Sequence, residues 1–224
     1  VLIVLFIAML IISQYMLSFG KDPNAKVVKK SKSPLSFHPI AIIFGILSFV
    51  SFLVEGAVGD WSALYLFEDK GIVIEEAVMG VMFFNATMCI GRLLGNRLGK
   101  HLTSKQVVIS GYLLGSVAMA LVVLLPGYGS MYTYLLVGIS LAMVVPNLFS
   151  AMGEQNVIPM TQAVATSTML GYMGILMGPA LIGFIAHATS LTIAFSVLTA
   201  MLVISAGIGK YAYMLMDKSK EAEV

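Results

Sequence analysis

Glu55-Gly56-Ala57-Val58-Gly59-Asp60-Trp61-Ser62-Ala63-Leu64-Tyr65-Leu66 closes an apolar run that begins near Pro39. From Ala41 to Val54 the run carries no charge, and then Glu55 appears. A stretch of that kind is long enough for a membrane-spanning helix, which needs ~20 mainly apolar residues. A carboxylate deep within it costs roughly 2.5–3.5 kcal/mol even on a mild insertion scale, so it is expected to face a cavity or a partner rather than lipid. Ser48, Ser51, Glu55, Gly59 and Ser62 recur at three- and four-residue steps, which puts them on one helix face. The opposite face is Phe, Leu, Ile and Val. A polar stripe on an apolar spanning helix reads as the wall of a water-filled pathway.

Composition points the same way outward from this stretch. The 224 residues are 59% hydrophobic and 11% charged, against about 25% charged in soluble domains. A net charge of +2, with no basic amphipathic patch, gives no reason to expect nucleic acid as a partner. Cys89 is the only cysteine, so no intrachain disulfide is possible. On the ~20-residue template seven spans are predicted, near Val1–Phe19, Pro39–Phe67, Glu75–Leu94, Val107–Leu125, Met131–Met152, Ala163–Ala186 and Leu191–Met214. The second is long enough to tilt or to break near Gly56 and Gly59. Pro126-Gly127 stops the fourth, and His187 to Ser190 forms a tight link between the last two. Because the chain opens at Val1 inside an apolar run, it is expected to continue a longer protein.

Seven spans alternate sides. Lys21, Lys26, Lys29, Lys30, Lys32, Arg92, Arg97, Lys100, Lys105, Lys210, Lys218 and Lys220 then fall on one side and only Lys70 on the other. The basic side is expected to be cytoplasmic, with the C-terminus inside. Residues 20–38 read as a cytoplasmic linker, flexible and held inside by its lysines, with contact to anionic headgroups as the sharper option. Residues 217–224 read as a cytoplasmic tail.

The six spans within 39–216 divide into two triples of opposite topology. A Gly- or Pro-interrupted helix at matching places in both halves points to a transport site. Glu55-Gly56 with Gly59 opens one triple, and Gly138, Ser140 and Pro146-Asn147 open the other. Pro146 has no amide to donate and frees the carbonyl of Ala142; bending for packing is the alternative. In the third span Asn85, Cys89 and Arg92 share a face. Asn85 is a candidate for the pathway or for interhelical hydrogen bonding. Arg92 either snorkels to the cytoplasm or forms a gate ion pair. Gly91, Gly95 and Gly99, Gly111 and Gly115, and Gly174 and Gly178 recur every four residues, spacing that lets helices approach closely. Tyr172, between Gly171 and Gly174, is a cavity candidate or a satisfied interior aromatic. Asp60 is the second-choice acid, beside Trp61, which suits an interfacial anchor. No P-loop, metal-ligand cluster, selectivity-filter loop or catalytic constellation is present in the sequence, so neither an enzyme nor a cofactor is expected.

The sequence resembles the C-terminal half of a major facilitator superfamily transporter, preceded by the last helix of the N-terminal half (residues 1–19) and the central loop. Glu55 to Leu66 resembles a seventh-helix signature of a bacterial subgroup of largely uncharacterised carriers. Gly91-Arg92-Leu93-Leu94-Gly95-Asn96-Arg97-Leu98-Gly99-Lys100, with Lys105, resembles the basic loop between the eighth and ninth helices. Gly171 to Gly183 resembles the eleventh helix. The family pattern has an Asp before its basic loop residue, where this chain has Asn96. The resemblance implies an all-α membrane fold with seven spanning helices, the last six forming a half built from two inverted three-helix repeats. It implies alternating access to a small polar solute in the bacterial inner membrane. The missing N-terminal half would be a partner alongside the lipid bilayer, and Arg92, Arg97 and Lys100 would sit in a gating loop. Glu55, Ser51, Ser48, Asn85, Asn147 and Tyr172 are the expected pathway residues, with Glu55 as a proton-coupling group or a solute acceptor. The opposing reading is a receptor or scaffold that retains the fold without transport.

Overall fold

The computed structural model describes Ser13 and residues 38–98, 102–155 and 157–221. The chain divides into two compact units, Val1–Lys32 and Ser33–Val224. The expected first span other than Ser13, residues 20–37 of the linker, Gly99, Lys100 and the last three residues of the tail lie outside the described residues. Arg97 falls on a described helix, but its side chain lies outside the description.

The second unit is all helix among the described residues. Its elements are α1 (Pro39–Glu68), α2 (Ile74–Ala77), α3 (Met79–Leu98), α4 (Ser104–Leu124), α5 (Gly127–Leu141), α6 (Val144–Glu154), α7 (Met160–Ala188) and α8 (Leu191–Glu221). They make six stretches long and apolar enough to cross a membrane, with α2–α3 and α5–α6 each counting as one. The ends are chemically marked. Pro39 opens α1 behind His38, whose Nδ1 accepts from the Ile40 amide. Thr103 and Gln106 form a reciprocal capping box at the start of α4. Asp69, beyond α1, accepts from the Thr192 amide at 3.1 Å and its hydroxyl at 2.7 Å, while Ser190 accepts from Ile193. The first turn of α8 is thus capped twice, once by its own residue and once by the end of α1. Gly71 turns between α1 and α2 with φ +69°, a left-handed conformation that favours glycine.

Lys70, the basic residue that departs from the division of charges, has a structural reason for its place. Its Nζ donates to the Val123 carbonyl at 2.6 Å, in the last turn of α4, and stands 5.2 Å over the Tyr65 ring. The last carbonyls of a helix lack internal donors and carry partial negative charge.

α1 is the hub. It packs most extensively on α7, and further on α8; α3 packs on α5, and α4 on α5 and α8. The α1–α7 seam is a glycine seam. A Cβ on Gly174 would strike the Phe49 backbone, and one on Gly178 would lie 2.7 Å from the Leu53 carbonyl. Gly91 meets Ala142 and Ile139 in the same manner, and Gly111 meets Val144 and the Ser140 carbonyl. The four-residue glycine repeats therefore serve close helix packing at the described positions.

Two expectations about interrupted helices part company. The α5–α6 chain breaks at Ala142–Met143, four and three residues before Pro146. The ladder restarts with the Asn147 amide on the Met143 carbonyl at 3.2 Å, reinforced by Asn147 Nδ2 at 2.8 Å. By contrast, α1 runs unbroken through Gly56 and Gly59. Gly56 sits tight against the Ile175 backbone and Gly59 meets open space. Glycine lowers helix stability by only about 1 kcal/mol relative to Ala, whereas proline removes a hydrogen bond and clashes.

Candidate functional site

Glu55 lies 16 residues into α1 and 13 from its end, hence at ~24 and ~20 Å from the two ends at 1.5 Å per residue. It does not meet lipid alone. Arg92 of α3 reaches across and donates through Nη2 to both carboxylate oxygens, at 3.1 and 3.3 Å. Arg92, three residues before the end of its apolar stretch at Gly95, therefore pairs with a carboxylate midway along α1 instead of snorkelling to the nearest helix end. Two opposite charges at that depth neutralise each other and share hydrogen bonds, which offsets part of the desolvation each bears.

The pair stands on an open strip. Asn85 and Cys89 lie on the same face of α3 as Arg92, and all three are exposed. Asn85 Nδ2 bonds its own helix at the Val81 carbonyl. On the other flank Phe52, one turn before Glu55, is stacked on Tyr172 of α7, with ring centroids 6.0 Å apart and planes 5° from parallel. Tyr172 is exposed. α3 and α7, which border the strip, are the least buried of the spans over their most apolar windows, at 28% and 22% against 61% for α1.

The serines of the stripe go elsewhere. Ser48 and Ser51 are buried inside the helix packing. Ser51 bonds the hydroxyl of Tyr112 at 2.9 Å, and that hydroxyl donates to the Leu47 carbonyl at 2.7 Å, which locks α1 to α4. Ser48 lies against Gly171. Ser62 is also buried, with no hydrogen-bond partner among the described residues. Asn147 is half-buried and occupied with the helix break. Asp60 is exposed. Trp61 is turned against α7, its indole N–H donating to the Pro179 carbonyl at 3.0 Å and its ring beside Gly183. It thus bonds to α7 and supports packing, in addition to any interfacial role. A hollow of about 430 Å³ flanks it, and another of about 220 Å³ lies between α3, α4 and α5; neither Glu55 nor Arg92 lines them.

Phe52 escaped sequence reasoning. A single Phe among many apolar residues carries no signal, although its place one turn before the costly acid, with an aromatic expected on α7, was available. No group of three or more His, Cys, Asp or Glu that would hold a metal occurs among the described residues.

No family model matches the sequence. The chain is 39% identical over 163 residues to an uncharacterised MFS-type transporter of Yersinia pestis, covering 72% of this chain and 42% of the relative. It is 31% identical over 151 residues to membrane protein MosC of Rhizobium meliloti, covering 67% and 37%. An uncharacterised transporter of Sinorhizobium fredii is 31% identical over 156 residues, covering 68% and 41%. The chain thus spans about two fifths of the length of the curated relatives it matches. The fold is similar to that of a solved peptide transporter, a mutant POT in complex with sulfate, with TM-score 0.63 and 15% identity over 76% of this chain and 36% of that one. The similarity to major-facilitator-type transporters read from the sequence therefore holds in both sequence and fold.

Proposed function

We propose, proceeding from that similarity to the major facilitator superfamily, that the chain supplies the C-terminal six-helix half of a secondary transporter, together with the preceding helix and the central cytoplasmic loop. The observation that carries the reading is the Glu55–Arg92 pair on an exposed strip, with the carboxylate midway along α1. A charged pair at that depth is tolerable beside water or a partner, not beside acyl chains. A second half laid against the strip would enclose it, and rocking of the halves would expose it to each side in turn. The solute is small and polar, the transport ion-coupled, and the membrane the bacterial inner membrane with the C-terminus in the cytoplasm.

Glu55 is the proton-coupling acid of this reading and Arg92 its counter-charge; Asn85 and Tyr172 border the path. Ser51 ties α1 to α4 behind it through Tyr112, and Ser48 packs beside Gly171. The test is uptake in the full-length protein. Glu55→Gln is expected to abolish uptake driven by a pH gradient while sparing exchange of solute across the membrane. Wild-type pH-driven uptake at normal abundance would remove Glu55 from coupling.

A further inference from the structure

Arg92 commits only one corner of its guanidinium to Glu55. Nη2 donates to both carboxylate oxygens, and no described residue bonds Nε or Nη1. A guanidinium offers five N–H donors in a planar fork, so among the described residues the Nη1 and Nε donors are left over, on opposite sides of the group. The partners are also unequally accessible. The Arg92 side chain is 45% exposed and that of Glu55 16%. A solute that reaches this face meets the cation first, and an anionic oxygen on its free Nη1 makes a charge-assisted hydrogen bond. An aromatic surface lies across the strip: Tyr172, exposed and parallel to Phe52, with Phe52 one turn from Glu55. Flat rings present apolar area and prefer offset, parallel partners.

Resting on the transport reading above, we propose that this strip binds a small planar carboxylate. Its carboxylate accepts from the free Nη1 of Arg92 and its apolar body lies against Tyr172 and Phe52. Glu55 is not the solute's partner in this arrangement. It orients the guanidinium and, as a neighbouring negative charge, holds anion affinity down.

The test uses the full-length gene product in nanodiscs, with radiolabelled benzoate as the probe and benzylamine and benzyl alcohol as competitors. Saturable benzoate binding is expected, insensitive to benzylamine. Arg92→Gln should weaken it by at least ~10-fold, the scale of a charge-assisted hydrogen bond. Tyr172→Leu should weaken it several-fold. Glu55→Gln should strengthen it several-fold, since a repelling charge is gone. If Arg92→Gln fails to fold with Glu55 left unpaired, the double variant Glu55→Gln/Arg92→Gln has no orphan charge and must also lose benzoate. Benzoate binding that survives in the double variant, or that benzylamine displaces, overturns the proposal. Failure of benzoate to bind while the protein still exchanges some other solute overturns the carboxylate class and leaves the transport reading standing. Binding that depends on Arg92, in a protein that moves no solute, upholds the site and overturns transport.

Discussion

At the scale of single residues, the deciding contrast is between Glu55 and the serines that share its spacing. Periodicity placed Ser48, Ser51, Glu55, Gly59 and Ser62 on one stripe of α1, of which Ser48, Ser51 and Ser62 are buried and Gly59 is exposed. What periodicity could not say is which part of the stripe a neighbouring helix covers. Ser48 and Ser51 fall where α7 and α4 press on α1, and Glu55 falls where the packing opens. Chemical accessibility separates them. Cys89, one turn before Arg92 on the exposed strip, is expected to react with a maleimide in the purified protein. Ser51→Cys, in a background with Cys89 replaced, should stay unlabelled, as peptide mass spectrometry would show. Equal labelling of both would mean that the strip is not the open face. Arg92 was legible as a residue with two fates, because an arginine near a span end can reach water or a carboxylate. The choice was settled by Glu55 standing on the adjacent helix, a tertiary fact with no trace in the spacing along α3. Coupling between the two should show in a double-mutant cycle of thermal stability for Glu55→Gln and Arg92→Gln. About 1 kcal/mol is expected, the lower part of the range for contacting pairs, since solvent reaches Arg92.

At the scale of elements, the spans were the most legible feature, since ~20 apolar residues in sequence leave little alternative to a helix in lipid. The break in the fourth described span was legible too, because Pro146 removes a donor. The absence of a break at Gly56 and Gly59 was not. Glycine permits a kink without forcing one, and here Gly56 serves approach to the Ile175 backbone. Small residues at helix interfaces have a measurable cost of replacement. Gly174→Ala would push a methyl into the Phe49 backbone and is expected to destabilise the protein by about 1–3 kcal/mol, as overpacking does. Gly207→Ala, where a Cβ meets open space, should be neutral or stabilise by up to about 1 kcal/mol through helix propensity. Thermal unfolding in one detergent would read both, and equal effects would remove the seam from the account of how α1 and α7 dock. Tyr112→Phe tests the other dock. It removes the bond to Leu47 and leaves the buried Ser51 hydroxyl without its partner, for an expected loss of about 1–3 kcal/mol.

At the scale of the whole molecule, we propose that the six described spans form the inverted repeat expected from the sequence, a reading favoured by their pattern of contacts. Exchange the first triple of described spans with the second, and the contacts map onto one another. The α1–α7 contact maps onto α5–α3, the α1–α8 contact onto α5–α4, and α4–α8 onto itself. An odd number of spans in each triple forces the two copies to run in opposite senses, so a pattern preserved under exchange is the pattern an in-plane pseudo-two-fold would leave. The same alternation fixes what orientation must be if the basic residues report it. Lys105 and Asp217, bonded at 3.1 Å, bring the start of α4 and the end region of α8 to one side, opposite Asp69, Lys70 and Thr192. On that rule the lysine-rich residues 20–36 are expected on the side of Lys105. Ser31→Cys is therefore expected to be protected from an impermeant maleimide in intact cells and labelled once the membrane is opened. Glu75→Cys, in α2 shortly after Lys70, should behave in the opposite way. Labelling of Ser31→Cys in intact cells would invert the orientation expected from the positive-inside rule.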